Sequence, residues 1–206
     1  MEKLLAWTGL VLLVFMGVGC GPKTVRLTKS FDLTQAERLM CPGRNTIIVK
    51  AFLNKPGGGI VDCYGHPVRL IPATEMARER MKGYFGTDEG GFVPLGSFAA
   101  TKFTNADPAY CRHQKEQTCG VNSGVVFKNV ADGEFYILSA VLWRLDYDSD
   151  DDEGYLLTKV SVSGGETLTV TQSHDIAPRS SGGPLFGLFS IGFSGRHPVV
   201  RVVGPR

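Results

Sequence analysis

Apolar residues recur with period two through most of this chain, the signature of half-buried strands. In "TIIVKAFL", residues 46–53, Ile47, Val49, Ala51 and Leu53 fall on one face and Lys50 on the other. "NKPGGG" breaks that run, and "HPVRLIP" is a second strand with Val68 and Leu70 inward and Arg69 outward. "ATEMARERMKGYFG" switches to helical spacing: Ala77, Met81 and Tyr84 form one stripe, and Gly83 or Gly86 can end it. Residues 125–143, "VVFKNVADGEFYILSAVLW", read as a strand, a turn ending in Asp132-Gly133, and a long strand. That long strand is apolar on both faces: Phe135, Ile137, Val141 and Trp143 on one, Tyr136, Leu138, Ala140 and Leu142 on the other. Such a strand is central and covered on each side. "GYLLTKVSV", a Ser-Gly-Gly-Glu turn and "TLTVT" follow, the last with Leu168 and Val170 inward. Strands at short intervals with turn signals between them predict an antiparallel β-sandwich with one inserted short helix.

The two ends break this pattern. Residues 4–18, "LLAWTGLVLLVFMGV", form an apolar run behind Lys3, too short for a comfortable membrane-spanning helix and matching a secretory h-region. It ends Gly17-Val18-Gly19-Cys20. Small residues followed by this cysteine resemble the lipobox of bacterial lipoproteins, although Gly17 stands where Leu or Val is more usual. The resemblance implies a signal peptide over 1–19, lipid on Cys20, and, with Gly21 and not Asp next, sorting towards the outer membrane. Several acyl chains on one cysteine hold a protein to a bilayer where one does not. Residues 20–44 then read as a tether with one short helix in "LTQAERLMCPG", where Thr34 and Glu37 have capping-box spacing; that helix either packs on the domain or stays part of the stalk. Residues 173–206 are rich in Gly, Pro and Ser, yet "LFGLFSIGF" at 185–193 carries too many bulky apolar groups for a solvated tail. This segment either returns to the sandwich as an extra strand or binds a partner.

Composition adds little beyond exclusions. The 206 residues are 43% hydrophobic and 20% charged, with formal net charge +2, so nothing points to nucleic acid. Behind Cys20 stand four cysteines, Cys41, Cys63, Cys111 and Cys119, an even number in an exported chain and hence candidates for two disulfides. The residues leave open both a local Cys111–Cys119 loop with Cys41–Cys63, and a Cys63–Cys119 bridge.

"FKNVADGEFYILSAVLW" is similar to the phrase F-x-N-V-P-x-G-x-Y of carboxypeptidase regulatory-like domains, which have the prealbumin (transthyretin-like) fold. "VSVSGGETLTVT" looks like the end of such domains, and "CYGHPVRLIPAT" like a segment of their stand-alone bacterial members. The resemblance covers residues 44–172, with Ala131 where the family usually has Pro. It implies a hairpin over 125–143 in a seven-stranded sandwich spanning 45–172, Cys63–Cys119 as the disulfide with Cys41 and Cys111 as the remaining pair, and no catalytic residue.

Candidate chemistry is sparse. His113 and Glu116 have the HxxE spacing of zinc carboxypeptidases, but the chain lacks room for that catalytic domain and spacing places no third ligand. Asp146, Asp148 and Asp150 alternate in "DYDSDDDEG" and are weak Ca²⁺ candidates; Asp151 and Leu157 stand where an EF-hand needs Gly and Glu. There is no GxSxG, the histidines His66, His113, His174 and His197 are scattered, and the Tyr-Arg-Gly-Ser ending of hydroxyisourate hydrolases of prealbumin fold is missing. The reading is a lipid-anchored cell-envelope module, non-catalytic and without cofactor. It would meet the membrane through Cys20 and a protein or glycan through loops 86–124 and 146–154 or the 183–206 segment. Phe92, Phe98, Phe103 and Tyr110 are either contact residues or core. The rivals are an envelope hydrolase or metal-dependent enzyme, and an assembly subunit docking through its C-terminal apolar segment.

Overall fold

A computed structural model describes residues 22–121, 124–142 and 153–176, and the backbone of 201–203. In chain order the elements are β1 (Thr24–Arg26), α1 (Leu33–Met40), β2 (Asn45–Asn54), β3 (Ile60–Asp62), β4 (Pro67–Pro72), α2 (Glu75–Phe85), β5 (Gly90–Pro94) and α3 (Leu95–Ala100). Then come β6 (Lys102–Thr104), α4 (Ala109–Arg112), β7 (Lys115–Thr118), β8 (Gly124–Val130), β9 (Gly133–Val141), β10 (Gly154–Val162), β11 (Thr167–Asp175) and β12 (Arg201–Val203). Sheet I has the order β5-β10-β9-β4-β7. Sheet II has the order β12-β11-β2-β3, with β8 also on β2. The chain is mainly β, and the two sheets pack as a sandwich.

Between the sheets lies the main core. From β2 come Ile47, Val49, Ala51 and Leu53; from β9, Phe135, Ile137 and Val141; from β11, Leu168 and Val170. These are the inward positions that the alternation predicts. The second face of β9 is buried for a different reason: α2 lies on the outside of sheet I. Met76, Ala77 and Met81 of α2 pack there on Ile71, Tyr136, Leu138 and Leu157. One strand thus serves two cores, which is why its sequence is apolar on both faces. Helix α2 begins at Thr74, whose hydroxyl accepts from Ala77 N, and ends at Gly86 with φ 76°.

Two connections differ from the sequence reading. Residues 125–141 are not a hairpin: β8 pairs with β2 in sheet II, while β9 pairs with β4 and β10 in sheet I. The turn arches from one sheet to the other. β8 carries an extra residue between Phe127 and Val130, where Asn129 takes φ 54°, and this bulge turns the strand out of its sheet. Gly133, with φ 149°, completes the corner where the Leu39 side chain leaves no room for a Cβ. The Gly164-Gly165 turn is likewise an arch, because β10 is in sheet I and β11 in sheet II. β11 then lies parallel to β2, from Thr167↔Thr46 to Asp175↔Asn54, so one pair of the expected antiparallel sandwich is parallel. β9 and β10 do form the expected antiparallel pair, from Gly154↔Val141 to Val162↔Gly133.

Residues 24–40, expected as a tether, are part of the folded body. β1 pairs in parallel with β6, Leu27 is buried in the α2 layer, and Ala36 and Leu39 of α1 are buried. The cap of α1 is Asp32, which accepts from Gln35 N at 2.8 Å, and not the Thr34–Glu37 box. Four helices occur among the described residues where the sequence indicated α1 and one insertion. The two unforeseen ones, α3 and α4, have six and four residues. Residues this few leave no helical period to read.

Cys63 and Cys119 form a disulfide, joining the end of β3 to the end of β7. Cys41 and Cys111 are free and exposed, which corrects their expected pairing. The physical reason is placement. Cys41 ends α1, whose Leu39 enters the sandwich core, whereas Cys111 lies in α4 beside Tyr110, in the aromatic layer over α2.

Candidate functional site

Helix α2 organises the surface where two loops meet. Its Glu79 carboxylate accepts from Thr28 N at 2.8 Å, Thr28 Oγ1 at 2.8 Å and Lys29 N at 3.0 Å. Burial alone would raise the Glu79 pKa, but these donors outweigh it and hold the carboxyl below its usual range. The loop after β1 is thereby fixed to the helix. Arg80, one residue on, places its guanidinium 4.5 Å from the Phe103 ring centre and 4.6 Å from that of Tyr110. These contacts bring β6 and α4 onto the same helix. Lys23 Nζ donates to Gly83 O at 2.6 Å and ties down the start of β1.

Between the two loops opens a cleft of about 570 Å³. One wall is Leu27, Thr28, Lys29, Ser30 and Phe31; the other is Asn105, Ala106, Asp107 and Pro108; Met76 of α2 contributes between them. The volume falls within the roughly 300–1,000 Å³ of small-ligand sites. Asn105 has φ 60°, a conformation that Asn tolerates better than most residues. Asp107 Oδ1 accepts from Ala109 N at 2.8 Å and starts α4. Phe31 closes the wall by packing edge-on to Tyr110, with ring centres 6.1 Å apart, and by lying 5.6 Å from the His113 ring. Leu27 and Met76 are buried at the floor of the cleft and Phe31 is half-buried, while Lys29, Ser30, Asn105 and Asp107 are exposed along it; the Thr28 hydroxyl is already bonded to Glu79. That set can bind a polar small molecule or chain through hydrogen bonds with one apolar face. The tyrosines nearby are not bases: burial pushes the Tyr110 phenol up to about 12 and raises that of Tyr84.

The sequence candidates fall out as follows. His113 Nδ1 lies 2.7 Å from Ala109 O, and Glu116 pairs with Arg69 of β4 at 2.6 Å, so the HxxE residues serve separate structural contacts. Among the described residues no three His, Cys, Asp or Glu side chains gather to hold a metal. His174 stacks on Phe92 with ring centres 4.5 Å apart, and burial lowers its pKa. Tyr110 is buried in the α2 layer, and Phe98 and Phe103 pack half-buried against that layer as Phe92 does against the sandwich core. Phe98 is stacked on both faces, by Tyr84 and Tyr155, each with centres 3.9 Å away. Cys20, Asp146, Asp148, Asp150, His197 and residues 185–193 lie outside the described residues. Among the described helices none is long and apolar enough to cross a membrane.

Half of the cleft is not visible in the sequence, whose pattern reads residues 27–31 as part of a tether. The available signal was the alternation of Val25 and Leu27 in "TVRL", which is a strand pattern and not a linker.

No protein-family model and no curated protein sequence matches this chain. Among solved structures it is similar to a protein from Pseudomonas aeruginosa described as "a putative carbohydrate binding protein". The TM-score is 0.55 at 22% identity, over 71% of this chain and 99% of that one. The likeness is one of fold.

Proposed function

We propose that this protein is a non-catalytic glycan-binding module of the bacterial cell envelope, held to the membrane by lipid on Cys20. The observation that carries the binding reading is the cleft between residues 27–31 and 105–108, where the exposed Lys29, Ser30, Asn105 and Asp107 line an open groove with the half-buried Phe31. Saccharides present hydroxyls on their edges and C–H groups on their faces, and such a lining satisfies both. The description of the Pseudomonas aeruginosa protein of similar fold supports the same ligand class. The anchor rests on the sequence alone, on the apolar run 4–18 followed by Gly19-Cys20. The lipobox sequence and Gly21 support the outer membrane as its location.

Two experiments test the two halves. Intact mass of membrane-extracted protein should show a chain beginning at acylated Cys20; an unmodified residue 1–19 segment refutes the anchor. Calorimetric titration of the full chain with neutral and acidic polysaccharide fragments should give saturable binding. Asn105→Gly removes the amide, keeps the positive φ accessible, and should weaken that binding at least tenfold. Absence of binding across the panel, or binding that this substitution leaves unchanged, refutes the glycan site.

A further inference from the structure

Sheet I is covered by α2, but the outer face of sheet II meets no element among the described residues. That face mixes apolar and charged positions, with Lys50 between Ile48 and Phe52 and Lys128 two residues from Val126. Ile48 and Val126 are direct cross-strand partners on it; beyond Lys50, Phe52 stands opposite Asp62 and Ile60 opposite Asn54. Val126 is 40% exposed and Ile60 65%. The neighbouring outward positions of β11 are Thr169, Thr171 and Ser173, which are small and uncharged.

The chain itself carries an occupant of matching chemistry. Ile176 N donates to Asn54 O at 2.9 Å, so the chain leaves β11 beside the end of β2. It returns at Arg201, which pairs with Thr171 of that same β11. Residues 177–200 therefore depart from and come back to sheet II. This connection exceeds the ~12–15 residues beyond which structureless loops are uncommon. It holds Leu185, Phe186, Leu188, Phe189, Ile191 and Phe193, with no charged residue from Ser180 to Gly195.

We propose that residues 185–193 fold back over the outer face of sheet II and cover Ile48, Phe52, Ile60 and Val126 of the same chain, as α2 covers sheet I. Both ends of the segment are already fixed on that sheet, so docking closes a short path at low entropic cost. The proposal is independent of the cleft and of the lipid anchor.

The test is a photo-crosslinking amino acid introduced at Val126 in the full chain and, separately, at Ile60. Both positions are exposed and tolerate a new side chain. The expected product is an intrachain adduct that migrates as a monomer and maps by mass spectrometry to residues 181–195. A covalent dimer would overturn the proposal in favour of a second copy on this face. An adduct with lipid or with another protein, or no adduct at either position, would overturn it as well. As a second readout, Val126→Lys should speed amide exchange in residues 185–193 at least tenfold and leave β9 unchanged; equal exchange in both proteins counts against the docking.

Discussion

The side-chain amide of Asn45 donates to the Asp132 carboxylate at 2.8 Å, and this bond joins the two arches of the sandwich. Asn45 also donates to Val130 O at 3.0 Å and accepts from Gly165 N at 2.8 Å and Glu166 N at 3.0 Å. Asp132 in turn accepts from Gly164 N at 3.2 Å. One fully buried side chain at the start of β2 thus holds the β8–β9 corner and the β10–β11 corner together. Backbone groups that leave a sheet at such corners lose their ladder partners, and Asn45 supplies substitutes.

Removing it should be costly. Asn45→Ala takes a partner from the buried Val130 O and from the N–H of Gly165, which is exposed, while Glu166 N keeps Ser163 O at 3.3 Å. At about 1–3 kcal/mol per orphaned group, and with water recovering the exposed N–H, the expected loss is about 2 kcal/mol in urea or thermal unfolding. Asp132→Ala, at an exposed position, should cost about 1 kcal/mol. Equal losses for the two would mean that Asn45 is not the centre of the junction.

This junction also marks how far the sequence could be read. Period-two alternation in β2, β4, β9 and β11 gave the correct inward residues, because burial of one face is a local pattern. The two apolar faces of β9 and the stripe on α2 likewise announced the covering of sheet I. Whether β8 and β9 pair with each other is not local. It depends on Asn129 adopting positive φ and on Asn45, far away in sequence, receiving the corner. A tight turn and an arch both use Asp-Gly, so the sequence alone suggested a hairpin. The cleft was hidden for a related reason: its two walls come from residues 27–31 and 105–108, and they are brought together by the β1–β6 pairing, continued by Leu27 N donating to Thr104 O at 3.1 Å, and by Glu79 and Arg80 on α2.

A second polar group spans the core. Gln172 of β11 accepts from Ser139 Oγ of β9 at 2.5 Å, and donates to Thr158 Oγ1 of β10 at 3.0 Å and to Ile137 O at 3.1 Å. All three side chains are buried. Gln172→Leu keeps the volume but strands both hydroxyls, so it should destabilise by about 1–3 kcal/mol despite its greater hydrophobicity. Adding Ser139→Ala and Thr158→Val should restore part of the loss. A stable Gln172→Leu single variant would show that the network contributes nothing net.

The cysteines give a chemical prediction. Under native, non-reducing conditions Cys41 and Cys111 should react with a thiol reagent, and Cys63 and Cys119 should react only after reduction. The bridge closes a sequence separation of 56 residues. By the chain-entropy argument its removal in Cys63→Ala/Cys119→Ala should cost about 4 kcal/mol. Labelling of all four without reductant would contradict the bridge.

Acid sensitivity should trace to Asp88. Its carboxylate is buried under α2, 3.3 Å from Lys82 Nζ and 3.4 Å from Arg78 Nε, and it accepts from the Tyr136 hydroxyl at 3.3 Å. Burial favours the protonated acid, but Lys82, Tyr136 and Arg78 together prevail and hold the pKa below the usual carboxylate value. A depressed folded-state pKa means that the unfolded chain takes up the proton first as pH falls. The contribution is therefore complete above the unfolded value of about 3.9 and is lost below it, down through the folded value. Asp88→Asn should lower stability at neutral pH and flatten the decline below about pH 4, bringing variant and parent closer together in acid. Because the carboxylate pins α2 to sheet I, the lost protection should appear first in amide exchange of α2 and β9. Parallel pH profiles for the two proteins would remove Asp88 from the account.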